Sequence, residues 1–144
     1  MREVTGNLWT YPADFRVITT NGVVRRDGAC VMGRGCAREA ALRYPSLPKL
    51  LGARLRQKGN HVHFFSDLEL NAREGLFTFP VKHHWQEPAD LDLIRRSAEE
   101  FGRQLLGSGV YVLPRPGCGN GQRTWEEVRP LLAELPNNVH VITF

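Results

Sequence analysis

For a chain with 19 basic residues this one has little lysine: Lys49, Lys58 and Lys82 are its only three, the rest being arginine. Arginine stays charged at any physiological pH, whereas lysine can lose its proton, so a lysine kept in such a chain is worth locating. Cysteine is sparse too. Cys30, Cys36 and Cys118 form no C-x-x-C pair, which argues against a disulfide framework and a structural zinc site and suits a reducing compartment. No apolar run is long enough to span a bilayer, and the opening 1-MREVTGNLW-9 lacks the basic, apolar and small-residue succession of a secretory signal. A cytoplasmic protein without a membrane partner is expected. No lysine and arginine block reads as a nucleic-acid tail; the net charge of +4 permits a nucleotide or nucleic acid without requiring one. Repeats and low-complexity linkers are absent. A length of 144 residues, 42% of them hydrophobic, is enough for one domain over 1–144 with a real core.

Residues 3–9 and 15–20 read as short strands separated by 10-TYPAD-14. After the glycine-rich 21–35, helices are expected at 36–44, ended by Pro45, and at 46–59, with Pro48 in the first turn. β-branched and aromatic residues mark strands at 61–65 and 76–81, with polar turn residues between them. In 89–107, Leu91, Ile94, Ala98, Phe101 and Leu105 fall on one helical stripe, and Gly107 is a natural stop. The apolar strand 110-VYVL-113 is followed by a glycine loop. Thr124 and Glu127 then make a T-x-x-E capping box for a helix opening at Trp125, which Pro130 bends. A final strand occupies 139–144. Strands alternating with helices imply an α/β layered domain whose largely parallel sheet is covered on both sides, with ligands beyond the carboxyl ends of the strands.

Two loops repeat one arrangement. Strand 15–20 runs through a glycine-rich loop ending in 32-MGRGCA-37 into a helix, and strand 110–113 runs through 117-GCGNG-121 into another. Glycine lets the backbone come close to a ligand, and unpaired N–H groups at a helix start bind anions. Either loop alone is better explained by a tight turn. Together, at one edge of a sheet, they would hold a diphosphate from both sides. Neither is a Walker loop, since no G-K-[ST] follows, and neither is G-x-G-x-x-G.

The segment 79-FPVKHHW-85 places Lys82 at the mouth of a strand, beside His83 and His84. Several weaker signals accompany it. His61 and His63 alternate along a strand but have no third ligand nearby, so a solvated face is expected and no metal. Cys118 reads as a small packed loop residue rather than a nucleophile. Trp85 is expected to be packed, stacking on a base or sugar being the alternative.

These residues together resemble a macro domain, the ADP-ribose-binding fold, over nearly the whole chain. The similarity is carried by 6-GNLW-9, 18-ITTN-21, 33-GRGCA-37 and 117-GCGNG-121 with Trp125. Within the family, 79-FPVKHHWQEPADLDLIRRS-97 is similar to the F-P-x-K-x-H-W segment of the DarG-like DNA ADP-ribosyl glycohydrolase branch, and more distantly to the terminal ADP-ribose protein glycohydrolase. The resemblance implies a three-layer α/β/α sandwich with a mixed central sheet. It implies that Thr20 and Asn21 meet the distal ribose, that Gly33, Arg34, Gly35 and Cys36 offer backbone groups to one phosphate, and that Gly117, Cys118, Gly119, Asn120 and Gly121 serve the other. Asn7 and Leu8 would contact the adenine, with Phe144 near it, and Lys82, with Asn21, would act at the anomeric carbon. Asn7 stands where the family has an aspartate; its amide oxygen can still accept the adenine amino group. Gly121 stands where the terminal glycohydrolase has an acid, which favours the DarG-like branch and leaves no evident general acid.

The activity so implied is removal of ADP-ribose from modified single-stranded DNA or protein. ADP-ribose is then ligand or product, no cofactor is needed, and the partner is a cognate ADP-ribosyltransferase toxin. A partly desolvated lysine near cations such as His83, His84 and Arg34 can act as nucleophile or base; protonated, it can stabilise the leaving group. The sequence does not choose between these. Two other functions fit the same residues: a non-enzymatic ADP-ribose reader, and a hydrolase of a distal-ribose ester or phosphate.

Overall fold

The computed structural model describes residues 1–144. Six strands form one sheet: β1 (Arg2–Thr5), β2 (Phe15–Asn21), β3 (His63–Phe65), β4 (Leu76–Lys82), β5 (Tyr111–Pro114) and β6 (Val139–Thr143). Their order is β1-β6-β5-β2-β4-β3, and every pairing is parallel except the antiparallel edge pair β3–β4. The sheet is therefore mixed, and five strands end at the same edge.

Two apolar clusters, one on each face, explain the layers. On one face α1 (Gly35–Arg43), α2 (Leu47–Lys58) and the single turn α3 (Asp67–Leu70) bring Ala40, Leu47, Leu51 and Leu70 onto Ile18, Leu76 and Val112. On the other, α4 (Leu91–Gln104), α5 (Trp125–Val128) and a 3-10 turn (Arg129–Leu132) bring Ile94, Phe101, Val128 and Leu132 onto Val17, Phe77, Phe79 and Tyr111. Aromatic rings tie this second face together: Phe15 stacks on Tyr111 at 4.8 Å between centroids, and Phe77 meets Phe101 edge-on at 5.4 Å. Each fully buried Phe stabilises the fold by about 1.5–3 kcal/mol. The expected stripe of α4 is the buried one at Ile94, Ala98 and Phe101, while Leu91 and Leu105 pack half-buried at its ends.

Local chemistry sets the boundaries. Thr124 and Glu127 form the capping box that the sequence predicts, and Pro130 converts the helix to the 3-10 turn after one turn of α5. β1 stops at Thr5, short of the expected 3–9, because the Asn7 Oδ1 accepts the Trp9 N–H at 2.8 Å and its carbonyl accepts those of Thr10 and Tyr11. This turns the chain away from the sheet. The segment between β3 and β4, expected as turn material, contains α3, whose Ser66 and Glu69 form a second capping box. No helix is long and apolar enough to cross a membrane.

Candidate functional site

A cleft of about 410 Å³ opens at the sheet edge where β2, β4 and β5 end. One wall is the turn into α1 (Gly33, Arg34, Gly35 and Cys36) and the facing wall is Gly117, Gly119, Asn120 and Gly121; Thr20, Asn21 and Lys82 also line it. The two loops touch, since a β-carbon on Gly35 would lie 3.1 Å from the Asn120 Nδ2.

What the walls present is backbone hydrogen-bond donors. Arg34, the N-cap of α1, makes no side-chain cap bond, and the N–H groups of Gly33, Arg34, Gly35, Cys36 and Ala37 find no acceptor within the protein. The same holds for Gly119, Asn120 and Gly121. Unspent donors on both sides of a cleft make an anion cradle, strengthened on one side by the dipole of α1. Gly35 and Gly117 need glycine for conformation, at φ of +58° and +74°. Gly33 and Gly119 do not. Neither has positive φ, and a β-carbon on either meets nothing within 4 Å. Neither strain nor packing within the protein accounts for these two glycines, which both line the cleft and have open space where a side chain would start.

The charges agree. Arg25, Arg34, Lys82 and Arg115 line the cleft, and no Asp or Glu does. Arg25 and Arg115 carry no local motif in the sequence; the 21–31 loop and the strand order bring them in. Arg115 lies over the Trp125 ring at 4.7 Å and within 3.6 Å of Glu3.

Lys82 sits at the end of β4, where the register with β2 slips: Thr20 pairs with Pro80, but Asn21 pairs with Lys82. The extra residue, Val81, is a bulge, and such bulges re-aim side chains at functional edges. The Lys82 Nζ donates to the carbonyls of Trp85 at 3.2 Å and Asn120 at 3.1 Å. With two hydrogens so placed, the third position of the nitrogen is free, as a proton in the ammonium or a lone pair in the amine. Burial, and after it the Arg34 guanidinium, hold its pKa below the ordinary lysine value. His83 and His84 do not supply that field as expected. His83 bonds the Asp90 carboxylate at 3.0 Å, and His84 stacks on Trp85. Asn21 is committed within its own loop, donating to the Val31 carbonyl at 2.8 Å and accepting the Val23 N–H at 3.0 Å.

Four of the other expected residues lie outside the lining of this cleft: Asn7, Leu8, Cys118 and Phe144. Asn7 is exposed, Leu8 is buried in the core, and Phe144 is 93% exposed beyond the end of β6. None of the cysteines is primed as a nucleophile. Burial raises the thiols of Cys36 and Cys118 and pushes Cys30 to about 12. Trp85, expected to be packed, is 40% exposed on the cleft. His63, expected on a solvated face, is buried and bonds the Gly59 carbonyl, while His61 pairs with Glu100.

No family model and no curated protein matches the sequence. Solved structures do. The macrodomain of Mycobacterium tuberculosis DarG is similar at a TM-score of 0.80 and 25% identity, over 98% of this chain and 95% of that one. The macrodomain of Thermus aquaticus DarG is similar at 0.75 and 24%, over 99% and 96%. Thermosipho africanus DarTG, solved in complex with ADP-ribose, is similar at 0.76 and 20%, over 98% of this chain and 41% of that chain. The fold is that of a macro domain. Along nearly its whole length the chain is similar in fold to the DarG macrodomains.

Proposed function

We propose that the chain binds ADP-ribose in this cleft and acts as an ADP-ribosyl glycohydrolase, removing ADP-ribose from modified nucleic acid or protein, as an antitoxin against an ADP-ribosyltransferase would. The observation that carries the reading is the Lys82 amine tied between the Trp85 and Asn120 carbonyls, inside a cleft whose two facing loops offer unspent N–H groups. A diphosphate held by both loops fits the four cations and the absence of carboxylates. The distal ribose then lies toward Thr20, Asn21 and Lys82. In the reaction the glycosidic bond at the anomeric carbon breaks; water supplies the hydroxyl to that carbon and a proton to the leaving group. Lys82 acts at that carbon, its pKa held below the ordinary lysine value by burial and Arg34.

One observation favours a second reading, a non-enzymatic reader: no Asp or Glu lines the cleft, so no carboxylate is there to protonate a leaving group. The test is a panel of ADP-ribosylated single-stranded DNA and ADP-ribosylated protein, each with wild type and Lys82→Ala. Wild type releases ADP-ribose from at least one substrate, and Lys82→Ala loses that release by at least about a hundredfold while free ADP-ribose still binds. Binding without release by wild type establishes the reader. Unchanged release by Lys82→Ala rejects Lys82 as the acting group.

A further inference from the structure

The bulge that aims Lys82 breaks the regular ladder between β2 and β4, so the carbonyls of Pro80, Val81 and Lys82 gain donors from elsewhere in the fold. The Ser97 hydroxyl of α4 donates to Pro80 at 2.7 Å, and the Asp90 N–H ahead of α4 donates to Val81 at 2.9 Å. The Lys82 carbonyl receives the Nδ2 of Asn60 at 3.0 Å. Asn60 comes from the far end of α2, 22 residues away, and no sequence motif marks it.

Asn60 is itself held firmly. Its carbonyl accepts an Nη2 bond from Arg96 of α4, and Glu100 of α4 accepts the neighbouring Val62 N–H at 3.0 Å. Its amide carbon lies where a β-carbon on Gly22 would come within 2.9 Å, and Gly22 donates its N–H to the His83 carbonyl at 3.3 Å. Asn60 thus touches both sides of the bulge, beside Asn21 and beside Lys82. Its Oδ1 is buried with no partner, so the bond to Lys82 is the one hydrogen bond its side chain makes.

From this geometry we infer that Asn60 is a positioning residue for Lys82: its amide fixes the bulged backbone, and so holds the amine between the Trp85 and Asn120 carbonyls. Without that bond the strand end relaxes, the amine moves toward solvent, and its alignment with a substrate in the cleft is lost. The charges facing the amine do not change with Asn60. They are Arg34 from the α1 loop, with Arg25 and Arg115 on the same cleft; the His83–Asp90 pair does not line it.

The role in turnover rests on the glycohydrolase reading, but the positioning is measurable without it. With only three lysines in the chain, the Lys82 side-chain ¹³Cε and ¹⁵Nζ signals can be assigned by comparison with Lys82→Arg and titrated in the absence of substrate. Two variants are used: Asn60→Ala, and Asn60→Leu, which keeps the bulk against Gly22 but has no donor. In both, the Lys82 titration is expected to move up toward the ordinary lysine range. Release of ADP-ribose is expected to fall by about tenfold to a hundredfold in kcat, with the Kd for ADP-ribose changed less than about threefold. A Lys82 titration in Asn60→Leu that superimposes on wild type overturns the proposal. Loss of cooperative unfolding in both variants also overturns it, by making Asn60 a residue of the fold. If wild type releases nothing, the glycohydrolase reading fails, and the titration still decides the role of Asn60.

Discussion

Gly121 lies so close to Gly117 that a β-carbon on it would come 2.5 Å from the Gly117 carbonyl oxygen and 2.9 Å from the Ala89 β-carbon. The loop as folded therefore has no room for any side chain at 121, an acidic one included. Gly121→Ala must shift the loop. An overpacking cost of about 1–3 kcal/mol, placed on the donors at Gly119 and Asn120, weakens ADP-ribose binding by roughly tenfold to a hundredfold. Calorimetric titration of wild type and variant checks it.

Gly119→Ala makes the opposite test on the same loop. Its β-carbon touches nothing, so the unfolding temperature should stay within about 2 °C of wild type. The added methyl occupies ligand space, so ADP-ribose binding falls by at least about tenfold. Equal binding by this variant would remove the diphosphate from this wall.

The depressed pKa of Lys82 places the limb of its pH effect below the ordinary lysine value, and the sign of that limb tells which form acts. If the neutral amine acts, kcat/KM rises with pH through a limb below the ordinary lysine value and then levels off. Arg34→Gln removes one of the two causes while keeping the backbone donor, so the limb moves to higher pH. A profile falling with pH over that range would assign the work to the ammonium.

Gly52 sits within α2, where alanine would ordinarily stabilise the helix by about 0.5–1 kcal/mol. Here its β-carbon would lie 1.8 Å from the Gly28 carbonyl oxygen, because the 21–31 loop is docked on α2 through the Cys30 N–H to Pro48 bond. The overlap wins. Gly52→Ala should lower the unfolding temperature by several degrees, for a loss of about 1–3 kcal/mol, read by thermal melts.

Arg16 is buried, bonded through Nη1 to both oxygens of Glu74 at 3.0 Å and through Nη2 to the carbonyls of Trp9 and Tyr11. It fixes the turn that carries Asn7 and Leu8. Arg16→Met leaves the part-exposed Glu74 without its partner and strips the Trp9 and Tyr11 carbonyls of their donor, freeing that turn. A loss of about 1–3 kcal/mol in denaturant unfolding is expected.

The parts of the site that could be read from the sequence are those written in local chemistry. The glycine loops, the Thr124–Glu127 capping box and Lys82 at a strand mouth depend on neighbours within a few residues. The parts that could not be read depend on distant ones. Asn60 reaches Lys82 only because α2 ends beside β4; Arg25 and Arg115 line one cleft only because β2 and β5 are adjacent. His83 looked like a neighbour of the Lys82 amine because the two are consecutive, yet its ring turns to Asp90. The Val81 bulge follows from register, which no single strand specifies. α3 is the exception: 66-SDLE-69 is a legible S-x-x-E cap whose helix is one turn long.

The walls of the cleft leave the sheet from β2 and β5, which are 90 residues apart in sequence and joined through pairs such as Phe15 with Tyr111 and Arg16 with Val112. Neither wall has a counterpart until the centre of the sheet has closed. Occupancy of the cleft and formation of the sheet are therefore one equilibrium, so a ligand of both walls is a stabiliser of the whole fold. At a hundred times its Kd such a ligand adds about 2.7 kcal/mol to the unfolding free energy. A fragment ending before Tyr111 should show no affinity for it at all.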